Sequence, residues 1–311
     1  MRRFALTGLA GYIAPRHLKA IQEVGGLLVA GLDPATNVGV VDSFFPEAAF
    51  FTEPEAFEAY LEDLRERGEG VDYLAIASPN HLHYPQIRMA LRLGAHALSE
   101  KPLVLWPEEV DRLAEWEART GKRVYTVLQL RVHPALQALR ERLAQERGMR
   151  DVVLTYVTGR GAWYGASWKA DERKSGGLAT NIGIHFFDLL AWFFGKAHRV
   201  EVHVRTPTVN AGYLELEGAR VRWFLSIDPS FVPEPLRKAG KRTYRSIALD
   251  GEEVEFSEGF TDLHTEVYRK TLAGEGFGLA EAREAIRVAA EVRTLSPRDP
   301  SPEVRHPFLA R

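Results

Sequence analysis

The first 128 residues alternate short apolar runs with amphipathic helical segments, and this alternation limits the possible folds more than any other feature. Continuous apolar runs are typical of strands that are covered on both faces, as in parallel sheets. Between the runs, apolar residues recur at the i, i+3, i+4, i+7 spacing of helices, as from Phe57 to Leu64. Strands that alternate with helices predict an α/β fold with a doubly wound parallel sheet. We predict strands at residues 3–7, 27–32, 71–77, 96–98 and 124–128, and helices at 13–24, 84–93 and 107–120.

The pattern changes after residue 128, where long alternating runs follow one another with few helices between them. Asp250-Gly251 and Glu217-Gly218 are hairpin signals, because glycine adopts positive φ without steric cost. This half is typical of an α+β domain with a largely antiparallel open sheet. We therefore predict a first domain at residues 1–128, a second at 129–295, and an extended tail at 296–311. The predicted elements of the second domain are strands at 151–158, 200–206, 213–217, 220–227 and 243–256, and helices near 134–145, 179–194, 263–272 and 280–295.

The composition excludes several classes of function. The chain has 311 residues, with 40 Lys and Arg against 42 Asp and Glu, and it has no cysteine. The lack of cysteine excludes disulfide scaffolds, cysteine metal sites and thiol catalysis. A net charge of −2 argues against a nucleic-acid partner, which requires a basic surface. No apolar stretch approaches the roughly 18 residues of a membrane span, so we expect a cytoplasmic protein without a membrane partner.

A glycine-rich turn follows the first predicted strand and precedes the first predicted helix. Gly8, Gly11, Tyr12 and Ile13 occupy this turn, where backbone N–H groups and a helix N-terminus can bind a pyrophosphate. Asp33 ends the second predicted strand, where a carboxylate binds the ribose diol of NAD and repels the 2′-phosphate of NADP. We therefore predict an NAD-binding Rossmann domain with these five residues as cofactor contacts. The alternative is a turn that serves only helix–strand packing, with Asp33 as a cap.

A second polar segment follows the predicted strand at 71–77. Ser78, Pro79, Asn80 and His83 lie there, at the carboxyl edge where open α/β sheets bind their ligands. We predict that they contact the cofactor or shape the loop around it. His81 and His83 have no third histidine and no carboxylate near them in sequence, so we predict no metal site.

Glu100-Lys101-Pro102 directly follows another predicted strand. A lysine at the end of a buried strand is unusual, because its ammonium group must be paired or desolvated. Beside a nicotinamide, Lys101 could donate a hydrogen bond to a substrate hydroxyl and lower its pKa. A surface Glu–Lys pair before a turn proline is the alternative.

A third polar segment lies in the predicted helix at 179–194. Asn181 and His185 are separated by four residues and share one helical face, and Asp188 lies where it could orient the His185 ring. Apolar side chains surround this face. His185 is therefore either an acid/base group or a core histidine with satisfied hydrogen bonds.

Together, the glycine turn, Ser78-Pro79-Asn80, Glu100-Lys101-Pro102 and the segment from Gly176 to Asp188 resemble the Gfo/Idh/MocA family of NAD(P)-dependent sugar dehydrogenases. The resemblance implies that Lys101 contacts the reacting hydroxyl, that His185 is the acid/base, and that Lys101–Pro102 is a cis-peptide candidate. The family commonly has Asp where this chain has Asn181, and an amide cannot act as a second carboxylate base. The resemblance also implies cofactor contacts by Glu100, Lys101, Gln129 and Trp168.

Within the family, segments 163–169, 174–177, 180–183 and 259–265 are most similar to the branch that oxidises the 3-hydroxyl of UDP-N-acetylglucosaminuronic acid (UDP-GlcNAcA) for bacterial O-antigen and lipopolysaccharide sugars. Aromatic side chains can stack on the base of such a substrate, and cations can bind its phosphates and carboxylate. Surface cations and packing aromatics are the alternatives. The implied substrate contacts are Lys101, Arg131, Trp163, Tyr164, Lys169, Lys174, Asn181 and His185, with Arg173 as a further cation of the same loop.

Two other functions remain open from the sequence. One is a different sugar or polyol dehydrogenase of the same family, and the other is a non-catalytic sensor with this fold. Intact Lys101 and His185 favour an enzyme. The resemblance also implies a homo-oligomer, either a tetramer or a dimer, that forms through the open sheet of the second domain.

Overall fold

The computed structural model describes residues 1–146, 148–254 and 262–310, which form two compact units. The first unit comprises Met1–Val132 and Phe260–Arg283, and the second comprises His133–Gly259 and Glu284–Arg311. The chain first passes from one unit to the other after Val132, close to the predicted boundary.

A six-stranded parallel sheet forms the first unit, with the order β3-β2-β1-β4-β5-β6. This is the predicted doubly wound arrangement, in which the strand order reverses between β1 and β4. The prediction missed β3, which has three partly buried residues and therefore a weak apolar signal. The strands are β1 (Arg3–Thr7), β2 (Leu27–Leu32), β3 (Ala49–Phe51), β4 (Tyr73–Ile76), β5 (His96–Ser99) and β6 (Val124–Thr126), and the helices between them are α1 (Ala14–Glu23), α2 (Pro54–Glu66), α3 (His83–Arg92) and α4 (Pro107–Thr120).

A mixed six-stranded sheet forms the second unit, with the order β12-β11-β7-β10-β9-β8. The β10–β7 pair is parallel and the other pairs are antiparallel, as predicted for a largely antiparallel sheet. Residues 255–256 of the last predicted strand lie outside the described residues. The strands are β7 (Arg150–Thr158), β8 (Ala197–Arg205), β9 (Val209–Leu216), β10 (Ala219–Ser226), β11 (Thr243–Leu249) and β12 (Glu252–Glu253), and the helices are α5 (Pro134–Gln145), α6 (Ala162–Ala166), α7 (Glu172–Ser175), α8 (Ile184–Phe194) and α9 (Glu234–Lys238).

Two longer helices follow, α10 (Leu263–Leu272) and α11 (Leu279–Thr294). α10 belongs to the first unit, whereas the prediction placed it in the second domain. Leu263, Val267 and Tyr268 of α10 are buried in the same core as Phe4 and Leu18. The spacing of apolar residues identifies the buried face of a helix but not the sheet that it covers, which explains the difference.

A π-helical turn, Ala179–Gly183, precedes α8 in place of the predicted regular helix. Phe187 of α8 packs edge-on against Trp223 of β10, which anchors the helix on the sheet. Single π-helical turns inside helices often mark functional sites. Asn181 lies in this turn and His185 in the first turn of α8.

The tail differs from the extended arm that the prolines predict. It ends in a short 3₁₀ turn, Pro307–Leu309, and it packs on the sheet of the second unit. The His306 ring is fully buried and stacks on Phe224, and Phe308 contacts Tyr244.

The helical stretch Glu172–Phe194 is long and apolar enough, by length and composition, to span a membrane. The prediction that no stretch approaches this length is therefore wrong. Two thirds of the relevant window is buried inside the fold, as expected of a core helix.

Candidate active site

The glycine turn closes tightly against the end of β4. Gly8 has a φ of +81°, and a Cβ atom at this position would lie 2.4 Å from the carbonyl carbon and oxygen of Ala77. The Gly8 amide donates a hydrogen bond to the Leu32 carbonyl (2.9 Å), and the Gly11 amide donates to the Gly8 carbonyl (3.0 Å). Only glycine fits at residue 8, and the turn leads directly to the N-terminus of α1. This arrangement fits the pyrophosphate of a dinucleotide.

Asp33 ties the glycine turn to the end of β2. Its Oδ2 accepts a hydrogen bond from the Ala10 amide (2.9 Å), and its Oδ1 accepts one from the Ala35 amide (2.9 Å). Asp33 therefore caps the glycine turn, which was the alternative to its role in cofactor binding. A carboxylate has about four acceptor sites, so these two bonds leave room for a ribose diol. Tyr12 of the same turn is 87% exposed.

A glutamine that the sequence analysis missed holds the loop after β4. The Ser78 hydroxyl and the Thr7 hydroxyl both donate to Gln86 Oε1, each at 2.7 Å. Ser78 and Asn80 are buried. Gln86 lies on the first turns of α3, and only its spatial position identifies it as a link between β1 and this loop.

His83 lies between two loops and is fully buried. Its Nδ1 is 2.7 Å from the Pro102 carbonyl oxygen, and its Nε2 is 2.8 Å from the Ser78 carbonyl oxygen. Burial lowers the pKa of His83, and the two backbone contacts oppose this effect. A neutral ring has one N–H group and donates to one of the two carbonyls. Because both ring nitrogens face protein, we interpret His83 as holding the loops, and its predicted cofactor contact stays a prediction.

Glu100 and Lys101 follow β5, which neighbours β4 in the sheet. The peptide bond between Lys101 and Pro102 is cis, as the resemblance implied. Lys101 is partly exposed, whereas Glu100 is buried. The glycine turn, Ser78 and Lys101 therefore follow β1, β4 and β5, three adjacent strands, at the edge where open α/β sheets bind ligands.

The Glu100 carboxylate accepts hydrogen bonds from two buried histidines. Its Oε1 is 3.1 Å from His17 Nε2 and 2.8 Å from His264 Nε2, and its Oε2 is 3.2 Å from the Lys101 amide nitrogen. Burial raises the pKa of Glu100, but the hydrogen bonds from His17 and His264 bring it well below its ordinary value. The Glu100 carboxylate is therefore ionised.

His17, Glu100 and His264 also have the composition of a metal-binding set. One ligand atom from each lies within 4.8 Å of the others. The sequence analysis considered only His81 and His83 for metal binding and missed this set, because its members are 83 and 164 residues apart.

Gln129 and Arg131 lie in a 3₁₀ turn after β6. The Gln129 Oε1 is buried without a hydrogen-bond partner among the described residues. Such an orphaned acceptor fits the predicted cofactor contact. Arg131 is buried, donates to the Glu281 carbonyl (3.1 Å) and lies over the Phe277 ring. A contact between Arg131 and substrate stays a prediction.

In the second unit, Asn181 and Tyr164 are joined directly. The Asn181 Nδ2 donates to the Tyr164 hydroxyl at 3.2 Å. Burial raises the pKa of Tyr164, so this phenol stays neutral near pH 7. His185 is partly exposed and Asp188 is buried.

A cavity of about 600 Å³ lies beside this pair in the second unit. Tyr164 and Lys169 line it, as does the segment Gly176–Ala179 that follows α7. Trp163, which is 52% exposed, and Lys174 are not among its described lining residues. The cavity therefore includes part of the loop that the resemblance assigned to substrate.

Four cations line this cavity against two acids. The acids are Glu172 and Asp228, and the cations are Arg160, Lys169, Arg205 and Arg293. Burial and the Arg160 charge lower the pKa of Lys169, whose Nζ lies 5.3 Å from the Trp163 ring centroid and 5.7 Å from that of Trp168. An excess of cations around a partly enclosed cavity favours an anionic ligand.

The sequence analysis missed Arg160, Arg205 and Arg293. Arg205 ends β8 and donates to three carbonyls at the end of α11, those of Val292, Arg293 and Leu295. Arg293 reaches the same cavity from α11. No sequence motif joins these positions, because their proximity arises only from the packing of α11.

Comparisons with known proteins identify the family. The NAD-binding Rossmann model of the oxidoreductase family GFO_IDH_MocA matches residues 2–128, and the C-terminal alpha/beta model of the same family matches residues 148–232. The chain is similar to the WlbA (WbpB) dehydrogenase from Thermus thermophilus, solved in complex with NAD and UDP-GlcNAcA. The two are 86% identical, with a TM-score of 0.97, over 99% of this chain and 100% of that chain. A second structure of that dehydrogenase, with NAD and alpha-ketoglutarate, is also 86% identical, has a TM-score of 0.98, and gives the same coverage.

The curated relatives match shorter segments. A protein from Amycolatopsis mediterranei, proposed as the oxidoreductase subunit of a UDP-kanosamine synthase, is 33% identical over 145 residues. That match covers 46% of this chain and 40% of the relative, and the other first relatives are likewise matched over 40% of their length. The two family models together match most of the described chain, and the predicted resemblance is confirmed: the chain belongs to the Gfo/Idh/MocA family of oxidoreductases.

Proposed function

We propose that this chain is an NAD-dependent dehydrogenase that oxidises the 3-hydroxyl of UDP-GlcNAcA to the 3-keto sugar. The observation that carries the proposal is the 86% identity, over nearly the whole chain, with a dehydrogenase solved with NAD and UDP-GlcNAcA. The motifs after β1, β4 and β5 and the cationic cavity of the second unit support it independently. We also propose that the product enters bacterial O-antigen and lipopolysaccharide sugar biosynthesis.

The first unit binds NAD through its backbone and one carboxylate. When bound, NAD supplies a nicotinamide ring that accepts hydride from a carbinol carbon. The glycine turn receives the pyrophosphate at the N-terminus of α1. Asp33 receives the adenosine ribose and places a negative charge where NADP would bring its 2′-phosphate.

In this proposal Lys101 hydrogen-bonds the reacting hydroxyl and His185 removes its proton. The Lys101 ammonium group donates a hydrogen bond to the 3-hydroxyl oxygen and stabilises negative charge on it. The neutral His185 ring accepts the proton as the C–H bond is lost. Asn181 has no acid/base role and is bonded to Tyr164, so it orients rather than ionises.

The cationic cavity binds the anionic part of the substrate. UDP-GlcNAcA carries two phosphates and a sugar carboxylate, and arginine binds such groups in a bidentate manner. We assign Arg160, Lys169 and Arg293 to this task; Arg293 also pairs with Glu172 at 3.9 Å, and Arg205 donates to the end of α11. Trp163, whose ring centroid lies 5.3 Å from Lys169 Nζ, offers an aromatic surface for a ring face of the substrate, and Trp168 keeps its predicted role as a cofactor contact.

A cytoplasmic location and a homo-oligomer, a tetramer or a dimer, complete the proposal. Neither location nor oligomer number affects the chemistry above, and light scattering on the purified protein measures the latter directly.

A single-turnover assay tests the proposed function. Enzyme in excess over NAD is mixed with UDP-GlcNAcA, UDP-GlcNAc or a free polyol, and NADH formation is followed by absorbance while mass spectrometry detects the keto sugar. Single turnover removes any dependence on NADH release or reoxidation. We expect stoichiometric NADH and a 3-keto product with UDP-GlcNAcA. Oxidation of a free polyol without oxidation of any nucleotide sugar would contradict the proposal.

A further inference from the structure

A buried hydrogen-bonded cluster of four residues includes Glu100, which directly precedes Lys101. Its members are His17 of α1, Glu100 after β5, and His264 and Tyr268 of α10. Their side chains are at most about a tenth exposed, and the His17 Nδ1 is 2.7 Å from the Tyr268 hydroxyl. The cluster therefore joins three elements that lie far apart in the sequence.

The protons of this cluster can be assigned from its chemistry. Because the ionised Glu100 carboxylate only accepts hydrogen bonds, the Nε2 atoms of both His17 and His264 must donate to it. Burial lowers the pKa of His17, so this ring is neutral and its Nδ1 carries a lone pair. Tyr268, whose pKa is raised well above its ordinary value by burial and by the Glu100 charge, keeps its proton and donates it to that lone pair. Both ring nitrogens of His17 then face complementary groups, Glu100 as the acceptor and Tyr268 as the donor.

The cluster holds Glu100 in one orientation. Two imidazole N–H groups fix Oε1, and the Lys101 amide donates to Oε2 at 3.2 Å. A buried carboxylate is costly unless hydrogen bonds satisfy it, and hydrogen bonds to charged groups are stronger than neutral ones. The same carboxylate that accepts from α1 and α10 therefore also fixes the backbone of the residue that carries the Lys101 side chain.

We propose that His17, His264 and Tyr268 are positioning residues, which hold the Glu100 carboxylate and, through the Lys101 amide, aim the Lys101 ammonium group at the reacting hydroxyl. The proposal rests on the proposed function, in which Lys101 contacts that hydroxyl. It goes beyond the usual Glu-Lys-Pro motif, because it gives a positioning role to residues of α1 and α10, which lie outside the motif. A small displacement of a catalytic group lowers turnover steeply, so positioning has a measurable effect.

The metal-like composition of the cluster offers a second reading. The contacts of 2.8 and 3.1 Å between imidazole nitrogen and carboxylate oxygen are ordinary N–H···O lengths. A bound divalent ion would require both Nε2 atoms to lose their protons. Elemental analysis of the purified protein separates the two readings, and a stoichiometric divalent ion that is lost in the Glu100→Gln variant would overturn the hydrogen-bonded arrangement.

Kinetics of three variants and one control test the positioning role. Tyr268→Phe removes only the hydroxyl, His264→Leu removes one donor to Glu100, and His264→Gln restores an N–H donor. We expect kcat with NAD and UDP-GlcNAcA to fall about tenfold in Tyr268→Phe and His264→Leu while both KM values stay within about twofold, since one lost hydrogen bond corresponds to about one decade. His264→Gln should recover most of kcat.

Thr265→Val is the matched control. Thr265 is buried on the same helix and donates to Glu23 of α1 at 2.7 Å, so its loss breaks an α1–α10 hydrogen bond without touching Glu100. We expect Thr265→Val to lower Tm as much as Tyr268→Phe does and to keep the wild-type kcat. Equal losses of kcat in all variants, or no loss in Tyr268→Phe and His264→Leu, would overturn the proposal.

Nitrogen NMR of histidine in the NAD-loaded protein provides a readout that needs no turnover. We expect His17 to be the Nε2–H tautomer both in wild type and in Tyr268→Phe, because the Glu100 carboxylate requires that N–H group in both. The Nδ1–H tautomer in wild type would overturn the arrangement. Failure of the wild-type protein to oxidise any nucleotide sugar would contradict the proposed function instead. The His17 tautomer would then still show whether the proposed hydrogen-bond arrangement of the cluster is correct.

Discussion

The Asp33 carboxylate accepts a hydrogen bond from the Ala10 amide at 2.9 Å, so the end of β2 directly fixes the glycine turn. We propose that the same side chain also meets the adenosine ribose. Under this proposal Asp33 has a structural role and a cofactor-selecting role, and replacing it affects both. A conservative change is needed to separate them.

Asp33→Asn should weaken the preference for NAD over NADP. The amide oxygen can still accept from Ala10, but the negative charge that repels a 2′-phosphate is gone. We expect the ratio of the two dissociation constants to narrow by about tenfold, the value of about 1.4 kcal/mol of lost repulsion. Fluorescence titration with both cofactors measures it.

Asp33→Ala is the companion variant, because it removes the Ala10 contact as well as the charge. It should lower Tm below that of Asp33→Asn. If wild type already bound NADP as tightly as NAD, the assignment of Asp33 would be wrong.

His185→Asn and Lys101→Ala should each lower turnover by at least about two decades, as general acid–base catalysis typically contributes 10²–10⁴-fold. His185 is proposed to contact the substrate and not NAD, so its replacement should leave NAD affinity unchanged. Single-turnover rates and NAD titrations measure both quantities. A His185→Asn variant with the wild-type rate would mean that His185 is an ordinary core histidine.

Much of the fold could be predicted because the signals are local. Gly8 has a positive φ in a turn formed by its own neighbours in the sequence, and Asp33 lies next to the strand that it ends. The π-helical turn before α8 was not predictable, because a helix with one extra residue per turn has the same apolar composition as a regular one.

The clusters that depend on tertiary structure were missed for a different reason. His17 and His264 each look like a solitary histidine on an apolar helix, and only the packing of α10 on α1 brings both to Glu100. Arg293 likewise reaches the cationic cavity through the packing of α11. Sequence spacing carries no information on contacts between elements that lie far apart in the chain.

The stability of the protein should fall as the pH is lowered from about 7 to about 5. Burial lowers the folded-state pKa of both His17 and His83 below 6.5, so the unfolded chain binds more protons just below that pH. For each proton that the unfolded chain binds in excess of the folded chain, the free energy of unfolding falls by at most about 1.4 kcal/mol per pH unit as the pH is lowered. The lowered pKa of Glu100 extends the loss below pH 4.5. Denaturant unfolding across this range measures the slope.

His83→Gln isolates one of these protons. Glutamine keeps a donor for one of the two carbonyls but does not titrate, so the slope should decrease by up to about 1.4 kcal/mol per pH unit. A slope that His83→Gln leaves unchanged would instead mean that His83 already carries its second proton in the folded protein and donates to both Pro102 and Ser78.

The last prediction concerns the sugar carboxylate. UDP-GlcNAc has a 6-hydroxyl where UDP-GlcNAcA has a carboxylate, and a hydrogen bond to a charged group contributes about 1.5–3 kcal/mol. We therefore expect kcat/KM to favour the carboxylate by at least about tenfold. Arg160→Met, Lys169→Met and Arg293→Met should show which cation provides the preference, and at least one should reduce it without changing NAD affinity.

Arg173→Met is the control for charge alone. The Arg173 side chain is 92% exposed, pairs with Asp171 and does not line the cavity among its described residues, although it belongs to the same loop as Lys169. It should leave the preference unchanged, since a solvated cation far from the ligand is screened by water and salt. A loss of preference in Arg173→Met, with none in the three cavity variants, would place the carboxylate outside this cavity. Equal kcat/KM for both sugars in wild type would contradict selection of a uronic acid while leaving the dehydrogenase activity intact.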